Sequence, residues 1–124
     1  GYDSRCISIK IESNPTIMNR RKYPRMPISY PCEITFTGSG AKYNGRTVNI
    51  SANGFAFSAR DKAFADCREE NVSISVSGFE FLQNHPLNGC IIRSTDNDGE
   101  YIVGCRMDED DIAIRDYVKE NYKE

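Results

Sequence analysis

Residues 28–36 read Ile28-Ser29-Tyr30-Pro31-Cys32-Glu33-Ile34-Thr35-Phe36, with an apolar side chain at every second position. A period of two is that of a strand with one buried face. It predicts a strand over 28–37, and Pro31, which has no N–H to give a ladder, marks that strand as an edge or bulged one. Beyond it, Gly38-Ser39-Gly40 is turn chemistry. Strands are predicted at 41–50 and 55–60 on either side of Ser51-Ala52-Asn53-Gly54, where Asn53-Gly54 resembles the pairs that reverse a chain between paired strands. Further strands are predicted at 71–77, 87–95 and 100–107, with Asp96-Asn97-Asp98-Gly99 as a hairpin turn. Six or seven strands this short, punctuated by turns every 8–12 residues, indicate an antiparallel barrel or sandwich.

After residue 107 the period changes. Ile112, Ile114, Tyr117, Val118 and Tyr122 recur mainly at helical spacing, and Asp108, Glu109, Asp110 and Asp111 lie where they complement the positive end of a helix dipole. One helix over 109–122 is expected, its apolar stripe either capping an open barrel end or forming a partner surface. Upstream, Ile7, Ile9 and Ile11 alternate with polar residues over 5–12. That strand belongs either to the main domain or to the end of a preceding one. Residues 1–19 are therefore read as an N-terminal strand and linker, and 20–124 as the domain. Within 13–27, Pro15, Pro24 and Pro27 disfavour helix and predict an extended linker.

The chain has 124 residues, 39% of them hydrophobic, enough for one small core. With a net charge of −2, its bulk field does not favour nucleic acid or an anionic membrane. No apolar stretch approaches the roughly 20 residues that span a bilayer. A cytoplasmic location is expected. The 5 cysteines include no CxxC pair and no histidine cluster, which argues against zinc and for reduced thiols. His85 precedes Pro86 with no nucleophile beside it and is expected to be exposed. Nothing pairs a nucleophile with a base, so an enzyme is not expected.

Positive charge is concentrated in Arg20-Arg21-Lys22-Tyr23-Pro24-Arg25. On an extended segment Arg21 and Arg25 are up to roughly 13 Å apart, so two guanidinium forks can hold opposite ends of one ligand. Each fork matches phosphate oxygens or the O6 and N7 acceptors of guanine. The complementary chemistry is in Asn49-Ile50-Ser51-Ala52-Asn53-Gly54. The side-chain oxygens of Asn49 and Ser51 can accept from the guanine N1–H and N2–H₂ groups. Gly54 permits a tight turn and close ligand approach.

RxxxR at Arg21 to Arg25, followed by D/NxSxxG at Asn49 to Gly54, resembles the paired signature of PilZ domains. The resemblance covers roughly 20–122 and includes Val103-Gly104-Cys105-Arg106, similar to the family's glycine-bearing last strand. It implies a six-stranded antiparallel β-barrel with a C-terminal helix that senses the bacterial second messenger cyclic di-GMP. Arg21 and Arg25 would grip guanine and phosphate, and Asn49 and Ser51 would read the guanine edge and fix the loop. Gly54 would set the turn and Gly104 would let a base pack on the last strand. Arg20, preceding the motif, implies two stacked, intercalated ligands rather than one. Asn49 departs from the more frequent Asp and offers one carbonyl oxygen in place of a carboxylate.

The leading reading is a receptor in which cyclic di-GMP orders the Pro-interrupted 14–27 segment and so regulates a neighbouring domain or a protein partner, and no cofactor or metal is expected. Two alternatives remain at this level. One is a degenerate PilZ domain acting as a ligand-independent interaction module. The other is single-stranded nucleic-acid binding through Tyr23, Tyr30, Phe36 and Phe55, against which the acidic net charge counts.

Overall fold

The structure, a computed structural model, describes residues 22–123. The strand predicted at 5–12 lies outside them, as do Arg20 and Arg21. Among the described residues seven strands form one sheet: β1 (Met26–Pro27), β2 (Pro31–Phe36), β3 (Lys42–Ser51), β4 (Gly54–Ala59), β5 (Asn71–Val76), β6 (Leu87–Asn97) and β7 (Glu100–Arg106). The last six close into an antiparallel barrel in the order β2-β3-β4-β7-β6-β5, with β5 returning to β2. β1 adds to the edge of β3 beyond β2, pairing Met26 with Ile50 and Pro27 with Asn49.

Closure decides the fate of Pro31. The expected edge strand is paired on both sides, to β3 and to β5. Pro31 is tolerated because it opens the strand, where a missing N–H removes no interior ladder bond. Alternation holds elsewhere, as Cys32, Ile34 and Phe36 point inward with Val72, Ile74 and Val76 of β5 beside them. At the Asp98-Gly99 turn both residues have positive φ, 59° and 89°, the geometry that matches hairpin twist.

Phe64 fills the barrel near the start of β3. It rides on a 3₁₀ turn, Lys62–Ala65, whose Ala63 N–H donates to the Asp61 side chain. Its ring centroid lies 5.4 Å from both Phe36 and Tyr43 and 5.5 Å from Phe57. Beyond the other end of β3 lies α1 (Ile112–Asn121), whose Ile114 and Val118 join the same core. Its apolar stripe is thus largely internal. Asp111 caps α1 by accepting from Ile114 N–H at 3.0 Å, so the helix begins three residues later than predicted. The other Asp111 oxygen is 2.8 Å from His85 Nε2. His85 is half-buried in this contact rather than exposed.

Burial pushes the Cys32 thiol up to about 11 and raises Cys67 and Cys105 as well. These thiols are neutral hydrophobes, not nucleophiles.

Candidate ligand-binding site

The outer face of the barrel carries one cross-strand row. Asn49 of β3 pairs with Ala56 of β4, Ala56 with Gly104 of β7, and Gly104 with Arg93 of β6. The two central residues are among the smallest, so the row is a shallow trough between a polar amide and a guanidinium. The next row runs Ser51, Gly54, Arg106, Cys90 and continues the trough through a second glycine.

Both ends of the first row are set by β-bulges. Val48 is the extra residue between Thr47 and Asn49, and Ile92 the extra residue between Ile91 and Arg93. A bulge bends its strand and re-aims the side chain that follows. Here Asn49 and Arg93 are the residues that follow. With Arg25, Ser51, Asn53, Gly54 and Arg106 they line a cleft of about 210 Å³.

The glycines act through space rather than through unusual backbone angles. Gly54 opens β4 with no positive φ, and the turn itself is Ala52-Asn53. The sequence expectation of Gly54 as the turn residue gives way to a different need: a Cβ there would lie 2.6 Å from the Cys105 carbonyl oxygen. At Gly104 a Cβ would meet the Arg93 side chain, 3.2 Å from Nε and 3.4 Å from Cζ. The Arg93 guanidinium therefore lies along the Gly104 backbone.

Ser51 lines the cleft with a buried side chain whose hydroxyl serves the turn. Its Oγ is 2.9 Å from Asn53 Oδ1 and 3.2 Å from the Gly54 carbonyl, and it accepts from Asn53 N–H at 3.4 Å. Asn49, half-buried, is the more open acceptor. Arg25 is half-buried directly before β1, whose register carries it to the level of Ser51.

The segment before Arg25 is held from the other side. The Tyr23 hydroxyl donates to Asp110 Oδ2 at 2.7 Å, and Lys22 Nζ lies 3.5 Å from the same oxygen. This hydrogen bond raises the Tyr23 phenol above its ordinary value and lowers Asp110 below its own. Tyr23 and Pro24 also share the lining of a small cleft with Arg115, Val118 and Tyr122 of α1 and its end.

A larger groove of about 560 Å³ is lined by Asp108, Glu109, Asp110 and Asp111 with His85. An anionic ligand is repelled by four carboxylates and attracted by Arg25, Arg93 and Arg106, so the smaller cleft is the candidate. Arg93 and Ala56 line this cleft from outside both motif stretches, and nothing in the sequence marks them as site residues. Among the described residues no cluster of His, Cys, Asp and Glu could hold a metal ion, and no helix is long and apolar enough to cross a membrane.

The sequence matches the PilZ domain family over residues 19–120. The chain belongs to the PilZ domain family. Solved structures resemble this PilZ domain in fold. Bacillus subtilis inhibitor of motility MotI/DgrA superposes with a TM-score of 0.62 at 17% identity, covering 88% of this chain and 56% of that one. The PilZ domain of YcgR from Escherichia coli, solved with c-di-GMP, gives 0.60 at 14% identity over 82% of this chain and 87% of that one. The MrkH–c-di-GMP complex of K. pneumonia gives 0.55 at 12% identity over 83% of this chain and 50% of that one. This PilZ domain thus spans little more than half of MotI/DgrA. Among curated proteins none matches the sequence.

Proposed function

We propose that this PilZ domain is a cyclic di-GMP receptor, and that the cleft beside Arg25, Asn49, Ser51, Gly54 and Gly104 is its ligand site. The observation that carries the reading is the convergence of Arg25 with Asn49 over a floor of Ala56 and Gly104 on one outer face. Guanine has a donor edge, an acceptor edge and flat faces. Asn49 accepts from the first, arginine forks suit the second, and the small-residue floor admits a face. MrkH and the YcgR PilZ domain, similar in fold, are described with c-di-GMP.

At about 210 Å³ the cleft is smaller than the roughly 300–1,000 Å³ of enclosing ligand pockets. It supplies one wall. Arg20 and Arg21, just upstream of Lys22, supply the other by closing over the ligand, and Arg20 adds the contact that accommodates a second, intercalated molecule. Closure fixes the 14–27 segment and with it the direction of the preceding chain, which regulates a neighbouring domain or a protein partner. No chemistry is performed on the ligand, and the domain works in the bacterial cytoplasm, where the messenger is made.

Thermal denaturation in the presence of nucleotides tests this. Cyclic di-GMP at a hundredfold excess over its Kd stabilises by about 2.7 kcal/mol, seen as a rise of several degrees, whereas GMP and cyclic di-AMP leave the midpoint in place. An unchanged midpoint with cyclic di-GMP sinks the proposal.

A further inference from the structure

We propose that Arg93 is a base-reading residue, its guanidinium forking onto O6 and N7 of a guanine whose N1–H and N2–H₂ edge faces Asn49. This rests on the reading of the cleft as the cyclic di-GMP site and goes beyond the two sequence motifs, since Arg93 belongs to neither.

The row Asn49, Ala56, Gly104, Arg93 is complementary to a guanine ring: an acceptor for its donor edge, two positions without bulk, then a fork of donors for O6 and N7. Three strand spacings of about 4.8 Å separate its ends, a span of roughly 14 Å that one purine and two inward-reaching side chains fill. The Ile92 bulge makes this possible. With Ile91 pointing into the core opposite Cys105, the extra residue sets both Ile92 and Arg93 against Gly104, and both line the cleft. Ile92 is 39% exposed, one of two large hydrophobic side chains left so open among the described residues. It offers an apolar wall beside the cation.

Arg93 is also available. Among the described residues its side chain makes no hydrogen bond or ion pair, so lifting the guanidinium from the Gly104 backbone to admit a base breaks no paired interaction. A guanidinium kept for stability would be expected to have a carboxylate partner. This one lies against a glycine.

The test is calorimetric titration of the intact chain, Arg93→Ala and Arg93→Lys with cyclic di-GMP and with its 7-deazaguanine analogue, which lacks the N7 acceptor. Arg93→Ala is expected to weaken cyclic di-GMP about tenfold or more, the size of one bidentate arginine–guanine contact. Arg93→Lys is expected to restore little, because an ammonium is not a fork. With the analogue the intact chain and Arg93→Ala are expected to converge. Binding by Arg93→Ala within twofold of the intact chain overturns the inference and leaves the receptor reading standing. A gap that persists unchanged with the analogue also overturns it, by making Arg93 a general charge. Failure of the intact chain to bind cyclic di-GMP overturns the receptor reading and this inference together.

Discussion

Tyr23 and Asp110 join the two ends of the domain: the phenol between the motif arginines donates to a carboxylate in the acidic run before α1 at 2.7 Å. The same short segment thus carries Arg25, which lines the proposed ligand cleft, and a tether to the acidic run before the C-terminal helix. Movement of one has to be accommodated by the other.

This tether has a defined pH window. Asp110 is lowered, so the contact is present above its ordinary carboxylate range and is lost as pH falls through the depressed value. Tyr23 is raised, so the contact persists through the ordinary phenol range and is lost only as pH rises through the elevated value. Asp110→Asn is expected to bring the Tyr23 titration, followed by carbon-13 NMR of the phenol ring, back down toward that of an isolated tyrosine. An unmoved titration would show that the pair does not form in solution.

Gly54→Ala is expected to destabilise the domain by about 1–3 kcal/mol, the usual cost of forcing bulk into a packed site. The new Cβ would face a backbone carbonyl, which cannot swing aside. Gly38→Ala, with nothing within 4 Å of its Cβ, is the comparison and is expected to be near neutral. Urea denaturation of the two variants measures the difference.

Much of the barrel was legible because alternation is local. Cys32, Ile34 and Phe36 announce an inward face whatever pairs with them, and the change of period after Met107 announces the helix. Closure is not local. Pro31 was misjudged because edge strands are the common refuge of proline, whereas a closed barrel has no edge and receives it at a strand start. For the candidate site, Arg25 and Asn49 were readable as chemistry, since their side chains suit the guanine proposed there, and both line the one cleft. Arg93 was not, because its place beside Gly104 depends on strand register and on a one-residue bulge. Gly54 was readable as a necessary glycine but for the wrong reason, a turn instead of a close strand contact.

Asp111 has two tasks that substitution can separate. Asp111→Asn retains a good helix N-cap and loses the charge facing His85, while Asp111→Ala loses both. The alanine variant is expected to lose about 1–2 kcal/mol, the range of N-cap deletions, and the asparagine variant clearly less. Thermal unfolding decides it, and equal losses would place the stabilisation in the histidine contact rather than the cap.

Phe64 anchors the barrel end through Phe36, Tyr43 and Phe57 while fully buried. Phe64→Ala is expected to cost about 3–5 kcal/mol. A loss below about 1 kcal/mol in urea denaturation would mean that the 3₁₀ turn is not packed as described.

Isothermal titration of cyclic di-GMP into the intact chain, Arg21→Ala, Arg25→Ala and Asn49→Ala tests the receptor reading most directly. The intact chain is expected to bind with close to two ligands per chain, either arginine variant to lose binding by two orders of magnitude or more, and Asn49→Ala to weaken it about tenfold, as for one lost base-edge contact. Absence of heat with the intact chain, or undiminished binding in Arg21→Ala and Arg25→Ala, would contradict it.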